Sequence, residues 1–316
     1  MAYPGELKVF CGTASRALTA GICAHLRTPA GEAIVDRFND GEIRVQIGEN
    51  IRGDDVFIIN STAPPVNDHL MELLMLIDAA RRASADRVTA VLPYFGYARQ
   101  DRKDRPRVPI TAKLVANLLV AAGANRILTV DLHCDQIQGF FDIPVDHLSG
   151  DVLFANHVRE RDINHNAVVV SPDMGSVKRA REVAKRLDIR LVIVDKRRPK
   201  ENMSEVMNVI GDAEGMHALI FDDMVDTAGT LVKAAQAIKE HGALDVTACA
   251  THPVLSGGAA RLIQESVLDE LLVSDSIPLN EKAKVCPKTR VLSLAPLIGE
   301  AIRRIHDEES VSSLFQ

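Results

Sequence analysis

"ALIFDDMVDTAGTLVKAA" occupies residues 218–235 and joins an apolar strand to a helix through a loop rich in carboxylates. The strand leads into Asp222 and Asp223, and the segment Asp226-Thr227-Ala228-Gly229-Thr230 opens the helix. Open α/β sheets bind ligands at the carboxyl ends of their strands. The stretch therefore predicts an α/β fold with a ligand site where this strand ends.

The loop has the chemical features of a phosphate site. Gly229 permits a tight backbone, the first N–H groups of a helix favour an anion, and two threonines add hydroxyl donors. The lysine of the G-x-x-x-x-G-K-[ST] loop is missing, so this is not an ordinary P-loop. Carboxylates repel a phosphate unless they bind sugar hydroxyls or a metal, which favours a ribose phosphate as the ligand. The alternative is a capped helix after a strand-end aspartate, a common structural arrangement.

Short apolar strands alternate with helical patterns along the rest of the chain, which predicts an α/β fold with mostly parallel sheets flanked by helices. The strand candidates fit two sheets better than one. They are residues 7–12, 55–60, 87–95, 126–133, 167–173, 190–196, 217–223, 245–252 and 268–275. The helix candidates are residues 68–82, 111–122, 176–186, 230–241 and 297–307.

A similar layout occurs twice in the chain. Residues 55–95 and residues 217–252 each run in the order strand, loop, helix, strand. Only the second copy has the carboxylate-rich loop, and the first has Ser-Thr-Ala-Pro-Pro in its place. This indicates two related domains. We expect an N-terminal domain of residues 1–148 and a C-terminal domain of residues 149–316.

Composition excludes several classes of protein. The chain has 316 residues, of which 47% are hydrophobic and 25% charged, as in soluble globular proteins. A net charge of −6, no Trp and 4% aromatics disfavour nucleic-acid binding. No apolar run approaches membrane-spanning length, and the first residues lack the pattern of a signal peptide. The five cysteines form no C-x-x-C pair, so we expect a reducing, cytoplasmic environment.

Six further stretches follow one another along nearly the whole chain: RFNDGE (37–42), PYFGYARQDRK (93–103), VDLH…QIQGFFDIPVD (130–146), VSPDMGSVKRA (170–180), DKRRP (195–199) and EESVSSLF (308–315). Together with the opening loop, they resemble the signatures of the ribose-phosphate diphosphokinases, or phosphoribosyl pyrophosphate synthetases, of the phosphate-activated class. The resemblance implies two related phosphoribosyltransferase-type domains. The sequence departs from the family at Ala228, where several relatives carry a second glycine, and at His147, where asparagine is usual.

The resemblance implies a transferase of nucleotide biosynthesis. In this family the diphosphoryl group of ATP moves to the anomeric hydroxyl of ribose 5-phosphate, which gives AMP and 5-phosphoribosyl 1-diphosphate. Mg²⁺ accompanies ATP, and inorganic phosphate activates the enzyme. One alternative is a non-catalytic regulatory relative, which should show losses in the motifs. The other is a base-dependent phosphoribosyltransferase, which would share only the loop at 222–230. The uninterrupted motifs favour the synthetase.

The resemblance assigns roles to residues of the C-terminal half and to His133 of the N-terminal half. Lys196 and Arg198 become the catalytic-loop pair that neutralises charge on the transferring group, although KRRP alone would be a solvated basic turn. His133 and Asp173, expected at the ends of their strands, become the Mg²⁺ ligands, although an isolated histidine is more often structural. The ribose 5-phosphate contacts are then Arg198, Asp222, Asp223, Asp226, Thr227, Ala228, Gly229 and Thr230.

Two stretches of the N-terminal half match the family's ATP contacts. An aromatic ring can stack on adenine while nearby carboxylates accept from its amino group. Without the resemblance, Asp-Gly would indicate a turn between two strands, and the charged run after it an exposed loop. The implied ATP contacts are Phe38, Asp40, Gly41, Glu42, Arg99 and Gln100. The family completes this site with a neighbouring subunit, so we expect a homo-oligomer, a hexamer built from dimers.

A second ligand site is also implied by the family. ADP inhibits and inorganic phosphate activates these enzymes at a subunit interface. The matching positions are Arg52, Gln138, Asp146, Ser310, Ser312, Ser313 and Phe315. The serine-rich tail could instead be a frayed terminus. His147 lies beside Asp146, so the departure from asparagine is expected to change nucleotide contacts there.

Overall fold

A computed structural model of the chain describes residues 5–197 and 206–315 and divides into two compact α/β units. The first unit consists of Met1–Ser149, Ser276–Pro278 and Ser293–Gln316, and the second of Gly150–Asp275 and Leu279–Leu292. The expected division assigned residues 149–316 to the second domain. Residues 293–316 instead belong to the first unit, because their helix packs on a helix of that unit.

The first unit contains a parallel sheet covered by helices. Along the chain its elements are β1 (Leu7–Cys11), α1 (Arg16–Leu26), β2 (Ala33–Arg37), β3 (Ile43–Ile47), β4 (Asp55–Ile59), α2 (Val66–Arg82), β5 (Arg87–Leu92), α3 (Thr111–Ala122), β6 (Arg126–Val130) and β7 (Val145–Leu148). The sheet order is β1-β4-β5-β6-β7, with every neighbouring pair parallel. Strands β2 and β3 form a separate antiparallel hairpin.

Both faces of this sheet are buried, which explains the continuous apolar strands. All five residues of β4 are buried. Because side chains alternate along a strand, Val56 and Ile58 face the core formed with Leu73 and Leu76 of α2, while Phe57 and Ile59 face the opposite side. The sheet therefore needs helices on both sides.

The second unit is a larger, mixed sheet. Its elements are α4 (Asp151–Glu160), β8 (Ala167–Ser171), α5 (Val177–Leu187), β9 (Arg190–Arg197), β10 (Val206–Ile210), β11 (His217–Val225), α6 (Gly229–Glu240), β12 (Asp245–Pro253), α7 (Ala259–Glu265), β13 (Glu270–Ser274), α8 (Glu281–Lys284) and β14 (Thr289–Leu292). The sheet order is β10-β9-β8-β11-β12-β13-β14. Only β10 is antiparallel to its neighbour among these pairs of described strands.

Strand β11 lies in the middle of this sheet and faces two cores. Ile220 packs in one core with Leu231 and Ile238 of α6. Leu219 and Phe221 pack in the other with Phe154 of α4 and helix α5. The central strand is therefore held from both sides, and its carboxyl end is a rigid position for functional groups.

The chain ends in the first unit with α9 (Ala295–His306), which packs on α1. A Cβ atom added at Gly21 would lie 2.9 Å from Cβ of Ala295, so the glycine permits the close approach of the two helices. Because this helix returns residues 293–316 to the first unit, the observed units differ from the expected domains.

The predicted fold class is confirmed, since mostly parallel sheets flanked by helices form both units. The predicted helix at 111–122 agrees with α3 at both ends, and the other four predicted helices correspond to α2, α5, α6 and α9. The nine predicted strands are present, and β2, β3, β7, β10 and β14 were not predicted. Within the described residues, no helix has the length and apolarity needed to cross a bilayer.

Candidate active site

The paired aspartates lie within strand β11 rather than at its end. The sequence predicted that the strand stops at Asp223, but β11 continues to Val225. The reason is its neighbour, because the parallel pairing with β12 extends to Val225 and Pro253. The candidate phosphate loop is therefore short, with Asp226, Thr227 and Ala228 between the strand and helix α6.

Asp222 and Asp223 are half-buried carboxylates in direct contact. The backbone N–H of Asp223 donates to Oδ1 of Asp222 over 2.9 Å. Burial, together with the charge and the hydrogen-bonded side chain of Asp223, raises the pKa of Asp222 to about 8. The positive charge of Arg179 opposes this rise in pKa. Two adjacent carboxyl groups that hold a proton near neutral pH can both accept from and donate to sugar hydroxyls.

The loop leaves the amino end of α6 without a side-chain cap. Ala228 takes the N-cap position in the left-handed region, at φ +64°, and its carbonyl accepts from the N–H of Val232 over 3.0 Å. Thr227 and Thr230 are exposed, and a Cβ added at Gly229 would approach nothing closer than 3.9 Å. Uncapped helix N–H groups beside hydroxyls and open space are the features of an anion site.

A neighbouring turn, which the sequence did not single out, supports the loop. The hydroxyl of Ser256 donates to the carboxylate of Asp226, and its N–H donates to the Asp226 carbonyl over 3.0 Å. The N–H of Leu255 donates to the carbonyl of Val225 over 2.9 Å. No motif identified Ser256, because it lies 30 residues further along the chain.

Asp173 lies in the loop between β8 and α5. The strand was expected to reach Asp173 but ends at Ser171, since Pro172 offers no N–H to a neighbouring strand. Oδ1 of Asp173 accepts from the N–H of Ser176 over 2.9 Å, and the Ser171 hydroxyl donates to the Asp173 carbonyl over 2.7 Å. The carboxylate is half-buried and fixed at the start of a helix.

Arg179, on the first turns of α5, is a site residue that sequence reasoning missed. Its guanidinium donates to Oδ1 of the buried Asp151 over 3.0 and 2.7 Å, and to the Thr251 hydroxyl over 3.1 Å. Thr251 follows Ala250, which pairs with Asp222 across β11 and β12. The arginine therefore links α4, α5 and β12 next to the paired aspartates. Its presence in the VSPDMGSVKRA stretch was the available signal.

His133 lies beyond its strand in the first unit. The predicted strand ran through His133, but β6 ends at Val130 and Asp131 turns the chain at φ +39°. The backbone N–H of Leu132 donates to Nε2 of His147 on β7 over 2.8 Å, and the His133 side chain is exposed. Among the residues that the structure describes, no group of three or more His, Cys, Asp and Glu side chains forms a metal cluster.

The Asp-Gly-Glu stretch forms the turn of the β2–β3 hairpin. The N–H of Phe38 donates to the Glu42 carbonyl over 2.8 Å, and Gly41 adopts φ +94°. Oδ1 of Asp40 accepts from the N–H of Glu42 over 3.1 Å. The Phe38 ring is 51% exposed, with the Arg44 guanidinium 5.8 Å from its centroid. The turn thus leaves an open aromatic face and the exposed Glu42 side chain.

Arg99 and Gln100 lie after β5 and are both exposed. The side-chain oxygen of Gln100 accepts from the Thr111 hydroxyl over 2.5 Å, and its carbonyl accepts from the N–H of Ala112 over 3.2 Å. Gln100 therefore holds the amino end of α3, while Arg99 precedes it in the same loop.

The candidate effector residues are spread over several loops and elements of the first unit. Arg52 is exposed before β4, and the Asp146 carboxylate accepts from Arg126 over 2.6 Å. Arg304 on α9, which the sequence did not single out, donates to the carbonyl of Ser310 over 2.9 Å and to the hydroxyl of Ser313. The tail is therefore fastened to α9 rather than frayed. Of the remaining candidates, Ser312 is exposed, and Phe315 is described only in its backbone.

The two catalytic candidates fall at the limit of the described residues. Lys196 belongs to β9, but its side chain is not among those described. Arg198 lies outside the described residues. Their roles therefore depend on the sequence pattern alone.

A parallel sheet with adjacent carboxylates and a helix-opening loop at its carboxyl edge defines an α/β protein of the phosphoribosyltransferase type. Residues 7–123 match the model for the N-terminal domain of ribose phosphate pyrophosphokinase, and residues 194–316 match the phosphoribosyl synthetase-associated domain. The chain belongs to the ribose-phosphate pyrophosphokinase family, which confirms the resemblance found in the sequence.

Full-length relatives establish this membership. The chain is 58% identical over 309 residues to a ribose-phosphate pyrophosphokinase from Rhizobium meliloti, covering 98% of this chain and 100% of the relative. It is 56% identical over 308 residues to one from Campylobacter jejuni, covering 98% of both. A crystal structure of phosphoribosylpyrophosphate synthetase from Mycobacterium smegmatis matches with a TM-score of 0.89 at 41% identity, covering 96% of this chain and 99% of that one.

Proposed function

We propose that this protein is a ribose-phosphate diphosphokinase. The anomeric hydroxyl oxygen of ribose 5-phosphate attacks the β-phosphorus of ATP, the bond from that phosphorus to the α–β bridging oxygen breaks, and AMP leaves. The hydroxyl proton is released, and 5-phosphoribosyl 1-diphosphate forms. The observation that carries the proposal is the loop at 222–230, with its paired carboxylates and uncapped helix, in a chain 58% identical to a named ribose-phosphate pyrophosphokinase.

Ribose 5-phosphate is proposed to bind to the second unit. The uncapped N–H groups of α6 and the hydroxyls of Thr227 and Thr230 receive the phosphate. Asp222 and Asp223 bind the ribose hydroxyls, because a partly protonated pair offers both acceptors and a donor. Asp226, whose carboxylate accepts a hydrogen bond from the Ser256 hydroxyl, orients the loop. Ala228 and Gly229 contribute backbone, and Arg198 adds a positive charge on the sugar phosphate.

The transferring group is proposed to be neutralised by Lys196 and Arg198. A diphosphoryl transfer accumulates negative charge that fixed cations stabilise. Mg²⁺, when bound with ATP, would neutralise part of that charge. Asp173 suits this ion, because its carboxylate is held by Ser176 and supplies the oxygen that Mg²⁺ prefers. His133 is proposed as the second ligand, on the exposed loop after β6.

ATP is proposed to bind to the first unit. The open Phe38 ring stacks on adenine, and the residues from Asp40 to Glu42 accept from its amino group. Arg99 and Gln100 add donors near the phosphates. A neighbouring copy of the chain is proposed to complete this site, within a homohexamer. The five cysteines are all free, which supports a cytoplasmic location.

Regulation by small molecules is proposed at a separate site. ADP inhibits and inorganic phosphate activates through Arg52, Gln138, Asp146 and the tail that carries Ser310, Ser312, Ser313 and Phe315. The support from geometry is that Arg304 keeps this serine-rich tail in a defined conformation. Hydroxyls and backbone amides of such a turn can hold a phosphate.

The test is a direct assay of the purified full chain with ATP, Mg²⁺, phosphate and ribose 5-phosphate. We expect AMP and 5-phosphoribosyl 1-diphosphate to appear in equal amounts. Lys196→Ala should lower kcat by about 10²-fold or more, whereas Lys185→Ala, an exposed lysine on α5, should leave it unchanged. Absence of AMP from the wild type would refute the activity and favour a regulatory relative. Normal turnover by Lys196→Ala would refute the catalytic role of that lysine alone.

A further inference from the structure

The side chain of His147 contacts two positions in the connection between β6 and β7, and the proposed function uses these positions separately. On one side its Nε2 accepts from the N–H of Leu132 over 2.8 Å. On the other side its Nδ1 is 3.2 Å from the amide nitrogen of Gln138. The ring is only 14% exposed. The first position precedes the proposed metal ligand His133, and the second is the proposed effector contact Gln138.

The hydrogen bond between His147 and Leu132 stabilises the turn that follows β6. His147 pairs with Thr129 in the β6–β7 register, which places it next to the end of β6. Asp131 is in the left-handed region at φ +39°, which a residue other than glycine adopts at a cost. A hydrogen bond at the next N–H helps to hold that turn. The direction of His133, one residue further, therefore depends on His147.

The two ring nitrogens of His147 have conflicting partners. A neutral imidazole has one acceptor nitrogen and one N–H donor. Both ring nitrogens of His147 face an N–H group, one from Leu132 and one from Gln138. The Asp135 carboxylate lies 4.0 Å from Nδ1, and its negative charge favours the hydrogen on that nitrogen. Nε2 is then the acceptor for Leu132, and Nδ1–H faces the side-chain amide of Gln138.

Gln138 can accept from Nδ1–H in only one of its two amide arrangements. Its amide nitrogen donates to the Asp135 carbonyl over 3.0 Å, which presents nitrogen rather than oxygen to His147. A rotated amide would present oxygen to Nδ1–H but would lose the bond to Asp135. The two arrangements exclude each other, so a ligand that binds the Gln138 amide selects between them.

We infer that His147 is a positioning residue that couples the effector contact Gln138 to the placement of His133 within the same β6–β7 connection. When an effector holds the Gln138 amide, the bond between His147 and Leu132 changes in strength, and with it the placement of His133. This inference rests on the proposed function, because it uses the proposed metal and effector residues. The proposed coupling acts through the hydrogen bonds of the His147 ring.

The test uses the full chain and steady-state kinetics with two readouts. His147→Ala should raise the Mg²⁺ concentration for half-maximal activity about tenfold, as for loss of a group that orients a metal ligand. The KM for ribose 5-phosphate should change less than about twofold, because that substrate's proposed contacts are on other loops. His147→Gln should restore the Mg²⁺ response, since its amide oxygen can accept from Leu132. His165→Ala, an exposed histidine, is the matched control.

The coupling is tested by a double-mutant cycle on ADP. Gln138→Ala should weaken the inhibition and the directly measured binding of ADP about fivefold or more in the wild-type background. In the His147→Ala background it should have no further effect on inhibition, because the connection is already broken. Additive effects on inhibition would overturn the coupling, and an unchanged Mg²⁺ response of His147→Ala would overturn the positioning role.

The outcomes separate this inference from the activity itself. A wild-type enzyme that forms no AMP refutes the proposed function. If the wild-type enzyme forms AMP but is not inhibited by ADP, the coupling is overturned. The Mg²⁺ response of His147→Ala then still decides the positioning role. If His147→Ala does not fold, His147→Asn and His147→Gln are compared instead. A shorter side chain that cannot reach Leu132 should then show the raised Mg²⁺ requirement.

Discussion

The carboxyl pair at positions 222 and 223 makes the stability of the free protein depend on pH. The pKa of Asp222 is raised to about 8 in the folded chain, from an ordinary value of 3.8. Between these values the folded state holds a proton that the unfolded state has released, so stability falls as pH rises. The decrease is complete above about pH 8, where both states are ionised.

Asp222→Asn should remove this dependence. The variant cannot ionise, so its unfolding free energy relative to wild type should rise between pH 5 and pH 8 by roughly 1–3 kcal/mol. Chemical denaturation of the ligand-free protein at several pH values measures the difference. Glu182→Gln, an exposed carboxyl on α5, is the control and should run parallel to wild type. A constant difference between Asp222→Asn and wild type would show that Asp222 is ionised throughout.

Ala228 occupies a backbone conformation that favours glycine. It is 5% exposed at φ +64°, and left-handed backbone costs a residue with a Cβ about 1–2 kcal/mol. Ala228→Gly should therefore stabilise the protein by about 0.5–1 kcal/mol after the entropic cost of glycine. Ala237 lies inside helix α6 and is similarly buried, so Ala237→Gly should instead destabilise the protein by about 1 kcal/mol. Thermal unfolding compares the two, and equal losses would contradict strain at Ala228.

Among the helices, α9 is attached to the first sheet through a buried carboxylate. Asp55 on β4 is 2% exposed and accepts from Arg87 on β5 over 2.8 and 2.5 Å. Nδ1 of His306 lies 2.9 Å from the same carboxylate, and Arg87 also donates to the Ile305 carbonyl over 3.0 Å. One buried group thus links two strands to the last turn of α9.

Arg87→Ala should be one of the more destabilising changes in this unit. It leaves a buried carboxylate without its main partner, a loss of about 3–5 kcal/mol. Arg82→Ala breaks the ion pair with Asp78 on the surface of α2 and should cost less than about 1 kcal/mol. Denaturant unfolding of the two variants gives the comparison. If both lost the same small amount, α9 would not depend on this carboxylate.

Sequence patterns identified the elements that are buried on both faces. Strands β4 and β11 each contain a run of four apolar residues, and α3 ends at a glycine that was a clear stop signal. The hairpin strands β2 and β3 are half exposed and rich in charge, and β7 has four residues, so neither gives a strong apolar signal. Helix α1 contains Gly21, which weakens its pattern although it serves the packing on α9.

The candidate site was predictable where it is local in sequence and not where it depends on distant contacts. The loop at 226–230 and the Asp-Gly-Glu turn are short motifs with clear chemistry. Ser256, Arg179 and Arg304 act through partners that other elements bring near. Strand ends were misplaced at Asp173, His133 and Asp223 because pairing with neighbouring strands, rather than side-chain polarity, decides where a strand stops.

At the scale of the whole molecule, the second unit is inserted between two parts of the first. The chain leaves the first unit after Ser149 and returns to it at Ser293, with a brief contribution from Ser276–Pro278, whose Ser276 carbonyl accepts from the Ser61 hydroxyl. The first sheet is formed entirely by residues before Ser149. Its α1 face and Asp55, however, are completed only by α9.

This arrangement predicts how the chain can be divided. A fragment of residues 150–292 should fold alone, because it contains the whole second sheet and the helices on both its faces. A fragment of residues 1–149 should not melt cooperatively, because it exposes the apolar face of α1 and leaves Asp55 without His306. Joining residues 293–316 to it through a flexible linker should restore a cooperative melt by circular dichroism. The same fusion carrying Arg87→Ala should melt at a clearly lower temperature, since the attachment of α9 is then weakened. A fragment of residues 1–149 that melts like the fusion would show that the first unit is complete without α9.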